Sequence, residues 1–91
     1  MAHIEHNKKK LLARIHRIRG QAEAMENGLN AGIGCSDMLH QIASMRGAMD
    51  GLMSEVLEGH IREHLGVDDI PAAQRKQDLD EVINVLKTYL K

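Results

Sequence analysis

Cys35, Met38, Ile42, Met45, Met49, Leu52 and Val56 follow one another at steps that alternate between three and four residues. That spacing puts them on one side of an α-helix and matches the heptad seam with which helices pair. A seam of this length constrains the fold more than any other feature, because another helix has to cover it. The 91-residue chain has little to cover it with: one Tyr, no Phe, no Trp and six Met. The core must come from Leu, Ile, Val, Ala and Met, which is thin for a single small domain, and association of copies is a common remedy.

A second stripe runs through Ile4, Leu11, Ile15, Ile18, Ala22, Met25 and Leu29 and predicts a first helix over about 5–30. "NAGIG" at 30–34 ends it, since two glycines so close together favour a turn. The long seam belongs to a second helix over about 36–65, with Ser36 as N-cap and Gly66 as its stop. Gly47, Gly51 and Gly59 each cost that helix about 1 kcal/mol relative to Ala, and close contact with another helix is one reason to keep them. "GVDDIPAA" at 66–73 reads as a linker in which Pro71 stops one element or starts the next. A third helix over about 73–90 carries Leu79, Val82, Ile83, Leu86 and Leu90. No strand pattern or repeat is present, so the expectation is an all-α protomer of three helices, one domain over 1–91, with antiparallel neighbours in a bundle.

The net charge is −1, but it is unevenly spread. "KKKLLARIHRIR" holds Lys8, Lys9, Lys10, Arg14, Arg17 and Arg19 and no acid. The remaining six bases face all thirteen acids, which leaves −7 elsewhere. A localised polyanion contact is expected there, with Arg46 as a further candidate; a solvated helix face is the alternative. Double-stranded DNA fits the pattern. With no helix-turn-helix signature and no aromatic residue for base stacking, it would be read by charge and duplex shape as much as by base edges.

"GHIREH" at 59–64 sets His60 and His64 at i and i+4, the spacing at which two imidazoles on one helix reach a single metal ion. Cys35 lies on the same expected helix, and a rise of about 1.5 Å per residue separates it from His60 by roughly 37 Å. One copy cannot close such a site. Two antiparallel helices related by a two-fold axis would bring Cys35 of one copy beside His60 and His64 of the other, giving two identical sites per dimer. The alternative for Cys35 is a small buried hydrophobe. His3 lies in a short polar arm; with the initiator Met removed, its imidazole and the free amine would form a compact nitrogen chelate, whereas a tail with no role is the alternative. Glu63 adjoins the pair and could complete the sphere or orient a histidine. One thiolate with several nitrogens suits Ni(II), Co(II) or Zn(II), while copper(I) would prefer more sulfur. His6, His16 and His40 receive no ligand role.

"ARIHRIRGQ" at 13–21, Cys35 opening the second helix, "LHQIASMRGAMDGLM" at 39–53 and "EVLEGHIREHL" at 55–65 together resemble the CsoR/RcnR family of small all-helical bacterial repressors, over nearly the whole chain. The resemblance implies an antiparallel four-helix-bundle dimer that pairs into a tetramer, a dimer of dimers. It also implies an apo form bound to operator DNA upstream of a metal-efflux gene and released on metal binding. Copper and persulfide sensors of the family carry a second Cys, which this chain lacks. Formaldehyde sensors share Cys35 and His60, but have Pro where this chain has Ala2 and no His at the position of His64. His3, Cys35, His60 and His64 together are similar to the nickel- and cobalt-sensing RcnR branch. Gly34 departs from members of that branch with an acidic residue before the Cys.

Two other readings stand beside a Ni(II)- or Co(II)-released repressor. One is a formaldehyde-responsive repressor with Cys35 as nucleophile. The other is a metal-buffering helical oligomer that binds no DNA. An enzyme is not expected, because a lone Cys and His without an orienting acid make a poor catalytic set, and no small organic substrate is expected either. The single Cys excludes an intramolecular disulfide, and the absence of an apolar leader or a membrane-length apolar run points to the cytoplasm.

Overall fold

A computed structural model describes residues 4, 5 and 7–90. It contains three long helices, α1 (Lys8–Asn30), α2 (Cys35–His64) and α3 (Ala72–Tyr89), and no strand among the described residues. The chain is all-α. The described residues gather into two compact units, Asn7–Ser54 and a second built on Glu55–Lys91, with α2 contributing to both.

The turn after α1 shows why "NAGIG" stops a helix. Gly32 takes a φ of +80°, a conformation that costs an L side chain about 1–2 kcal/mol. This lets Gly32 N–H donate to Leu29 O at 3.2 Å and Ile33 N–H donate to Gly28 O at 2.8 Å, the paired bonds of a Schellman motif. The Ile33 side chain then folds back over Gly28, where a Cβ would meet its Cδ1 at 3.2 Å. The apolar contact that accompanies this motif is thus made against bare backbone.

In the first unit α1 and the front of α2 run antiparallel, with Gln21 meeting Ser44 and Arg14 meeting Gly51. The half-buried line of α1 is Arg14, Ile18, Gln21, Met25 and Gly28, continuing from the buried Leu11. On α2 the matching line is Met38, Gln41, Met45 and Ala48. The expected seam is therefore split. Met38 and Met45 turn toward α1 with Gln41 between them, while Ile42 (46% exposed), Met49 (47%) and Leu39 (60%) stay outside. The inner line is part polar: Gln21 Nε2 donates to Ser44 Oγ at 2.9 Å, and the buried Oε1 atoms of Gln21 and Gln41 border a hollow of about 110 Å³ shared with Ala24 and Ser44.

The start of α2 differs from the expectation. Ser36 is not the N-cap: the helix begins at Cys35, and Met38 N–H donates to Gly34 O at 3.0 Å, so Ser36 lies inside the first turn. Among the glycines expected to sit at a close approach, Gly47 has open space around it. Gly51 is approached instead, since a Cβ there would lie 2.8 Å from Nη1 of Arg14.

The second unit joins the end of α2 to α3. Leu65 and Gly66 both donate to Ile61 O, at 2.8 and 3.0 Å, and close the helix. Gly66 is needed for proximity: a Cβ there would meet Arg62 O at 3.0 Å and Arg62 Cα at 3.4 Å. Pro71, with its φ fixed near the helical value, precedes α3 and accepts from Arg75 N–H at 3.0 Å. Arg75 reaches back from the first turn of α3 and donates to Leu65 O at 2.8 Å and to Val67 O, pinning the linker at two carbonyls. The inner line of α3 runs from the half-buried Arg75 through the buried Asp78 and Val82 to the half-buried Leu86, with Asp78 only 4% exposed. Leu79 and Ile83, expected in the core, are exposed.

Candidate functional site

His60 and His64 meet on the last turns of α2, their ring centroids 4.4 Å apart and their planes tilted by 34°. The helical i, i+4 repeat places both imidazoles on one side, and both are half-buried. Behind them stands Asp78 of α3, whose Oδ2 lies 3.4 Å from Nδ1 of His64. Its other oxygen, Oδ1, accepts from Gln74 Nε2 at 2.9 Å. Glu63 is half-buried on the same turn.

Cys35 opens α2 and its thiol is exposed, with Asp37 as the acid of the first turn. The carboxylate of Asp37 turns back to within 3.9 Å of the point where a Cβ on Gly34 would lie. Cys35 belongs to the first unit, with the outward-turned Ile42 and Met49, and His60 and His64 belong to the second. His3 falls outside the described residues.

Among the described residues no group of three His, Cys, Asp or Glu side chains is close enough to hold a metal ion. The donor chemistry nevertheless fits a borderline divalent ion as a half-site: two adjacent imidazoles backed by a carboxylate, lacking only ligands from elsewhere.

The basic segment occupies the first turns of α1. Lys8, Lys9, Lys10, Arg17 and Arg19 are exposed, as is Arg46 on α2, while Arg14 is half-buried and lies over Gly51. At about 100° per residue, Lys8 and Arg19 flank one edge of the buried line of α1, and Lys10 and Arg17 flank the other. No acid occupies the first turn of α1, and no side chain caps it. Three lysines there oppose the positive end of the helix dipole, each unfavourable by a few tenths of a kcal/mol up to about 1 kcal/mol. A polyanion bound there would offset that penalty.

Asp78 and Gln74 were not legible as site residues. They lie on another helix, and the only local signal is that Asp78 falls four residues before Val82, on the line α3 buries.

Residues 7–88 match the metal-sensitive transcriptional repressor family. The chain is 53% identical to the "Uncharacterized protein in bioA 5'region" of Serratia marcescens and 43% identical to the transcriptional repressor RcnR of Salmonella paratyphi B, in each case over the full length of both chains. A solved structure of a glutamate-to-histidine variant of the formaldehyde-responsive regulator FrmR from Salmonella enterica serovar Typhimurium superposes with a TM-score of 0.84. That match has 43% identity and covers 92% of this chain and 94% of the other. The chain belongs to the metal-sensitive transcriptional repressors, the CsoR/RcnR family. No helix among the described residues is long and apolar enough to cross a membrane.

Proposed function

We propose that this chain is a cytoplasmic nickel- or cobalt-responsive repressor, whose apo oligomer holds double-stranded operator DNA upstream of a metal-efflux gene and lets go when Ni(II) or Co(II) binds. The observation that carries the reading is the His60–His64 pair, two imidazoles 4.4 Å apart on one helix face. Its relative RcnR is named a transcriptional repressor, and the matched family is metal-sensitive.

The remaining ligands come from a second copy. Cys35 of one α2 meets His60 and His64 of an antiparallel partner, and the outward stripe of Leu39, Ile42 and Met49 supplies the apolar contact between them. His3 completes the set, with Glu63 as the carboxylate nearest the pair. When bound, the ion supplies a positive centre that draws ligands of two copies together; Zn(II) suits the same donors. DNA contact falls to Lys8, Lys9, Lys10, Arg14, Arg17 and Arg19, with Arg46 in support. The two ligands prefer different states of the oligomer, so metal weakens DNA binding by the same factor by which DNA weakens metal binding.

A mixing experiment tests the shared site. Cys35→Ser and His64→Leu chains should each fail to give the thiolate-to-cobalt absorption of the wild type. Co-refolded as an equal mixture, they should recover about one quarter of the sites, because half of the dimers then hold one intact site. No recovery means that the site does not span two copies.

The exposed thiol of Cys35 supports a second reading, a formaldehyde-responsive repressor like the FrmR relative. There the thiol adds to the aldehyde, and His64 is dispensable.

A further inference from the structure

The second unit buries a carboxylate, Asp78, for which the metal reading so far has no use. A buried carboxylate is costly unless both oxygens find donors. Gln74 Nε2 serves Oδ1 at 2.9 Å. Oδ2 is buried as well and makes no hydrogen bond, and Nδ1 of His64 lies 3.4 Å from it, one small adjustment short of donating. A lone pair on Nδ1 would repel that oxygen; a proton on Nδ1 attracts it. The pair therefore selects between the two neutral forms of the imidazole, which differ only in the nitrogen that carries the proton.

We infer that Asp78 is the positioning residue of the histidine pair: it holds His64 in the form protonated at Nδ1 and leaves the lone pair on Nε2, an atom already buried in one copy, as the donor to the metal. The inference rests on the metal-sensing reading for its consequence, though not for its geometry. A carboxylate–imidazole contact of this kind fixes the ring plane of a ligating histidine. The 4.4 Å spacing of His60 and His64 is then set from α3, through Gln74, Asp78 and His64 in turn.

The test compares wild-type protein with Asp78→Ala and Asp78→Asn at full length. Asp78→Asn keeps the side-chain shape and one oxygen to accept from Nδ1, so it remains informative if the alanine variant folds poorly. Long-range proton–nitrogen correlation spectra of the apo proteins, taken where imidazole is neutral, should show the His64 proton on Nδ1 in wild type and Asp78→Asn. In Asp78→Ala the form protonated on Nε2 should gain population. Titration with Zn(II) against a competing chelator should show Asp78→Ala weakened by about 10–100-fold and Asp78→Asn by less. A wild-type His64 protonated on Nε2, or zinc bound through Nδ1 with Asp78 as a direct ligand, overturns the inference. So does an Asp78→Ala protein that binds Zn(II) as tightly as wild type while His64→Leu does not. If wild type and His64→Leu bind Zn(II) alike, the metal-sensing reading fails instead, and the apo spectra alone decide the role of Asp78.

Discussion

The two units hold their polar residues differently. In Asn7–Ser54 Gln21 joins Ser44 with Gln41 beside them, and the half-buried Arg14 lies over Gly51. In the second unit the charge is inside: Asp78 is buried against His64, and Arg75 is spent on the carbonyls of the linker. Leu11 and Val82 are the only apolar residues among those described that one copy buries. Neither unit closes an apolar core among the described residues: the first leaves Leu39, Ile42, Met49 and its basic side chains other than Arg14 exposed, and the second holds the histidine pair. In the proposed function, DNA contact falls to the first unit, and the metal site draws Cys35 from the first unit and His60 and His64 from the second.

The strongest way to break the contrast is His64→Leu. Its loss of Ni(II) or Co(II) affinity should exceed the roughly 10–100-fold that a supporting residue is worth, because a ligand itself is removed. Apo DNA binding should stay as in wild type; a loss of both in gel-shift and cobalt titrations would merge the two roles. Next in size is Gly66→Ala. Its Cβ would press on the Arg62 backbone, which cannot swing aside, and should lower stability by about 1–3 kcal/mol in urea unfolding at fixed protein concentration. Gly32→Ala should cost about 1–2 kcal/mol through its positive φ, without moving the histidine pair.

Arg17→Ala sharpens the comparison from the other side. It should lower DNA affinity uniformly across sequences and reduce the slope of log K against log salt by about 1, with Co(II) titrations unchanged. The smallest effect belongs to Gln21→Ala, which deletes one hydrogen bond between α1 and α2 and should cost about 0.5–1.5 kcal/mol. A much larger loss would mean that the polar line inside the first unit does more than join two helices.

These residues also mark how far local pattern carries. The turn after α1 was legible because glycine spacing is a local signal and Gly32 alone bears the positive φ. The seam of α2 was legible as a stripe, but not its division. Steps of three and four let either Ile42 or Gln41 face inward, and only packing against α1 selects Gln41. Ser36 misled because its residue type favours caps, whereas the chain enters the helix one residue earlier, from Gly34. His60 and His64 are a pair in sequence and a pair in space. Asp78 was hidden because its partner is on another helix, and one acid in the run Asp78, Asp80 and Glu81 looks like any solvated residue.

In the proposed function, metal at the histidine pair releases DNA held by the basic segment. This is tested most directly by fluorescence-anisotropy titration of the reduced apo protein onto the DNA upstream of its own gene, repeated with Ni(II), Co(II), Zn(II) and formaldehyde. The predicted result is release by Ni(II) or Co(II) that His64→Leu abolishes. Release by formaldehyde alone, unchanged in His64→Leu, would contradict it and move the function to Cys35.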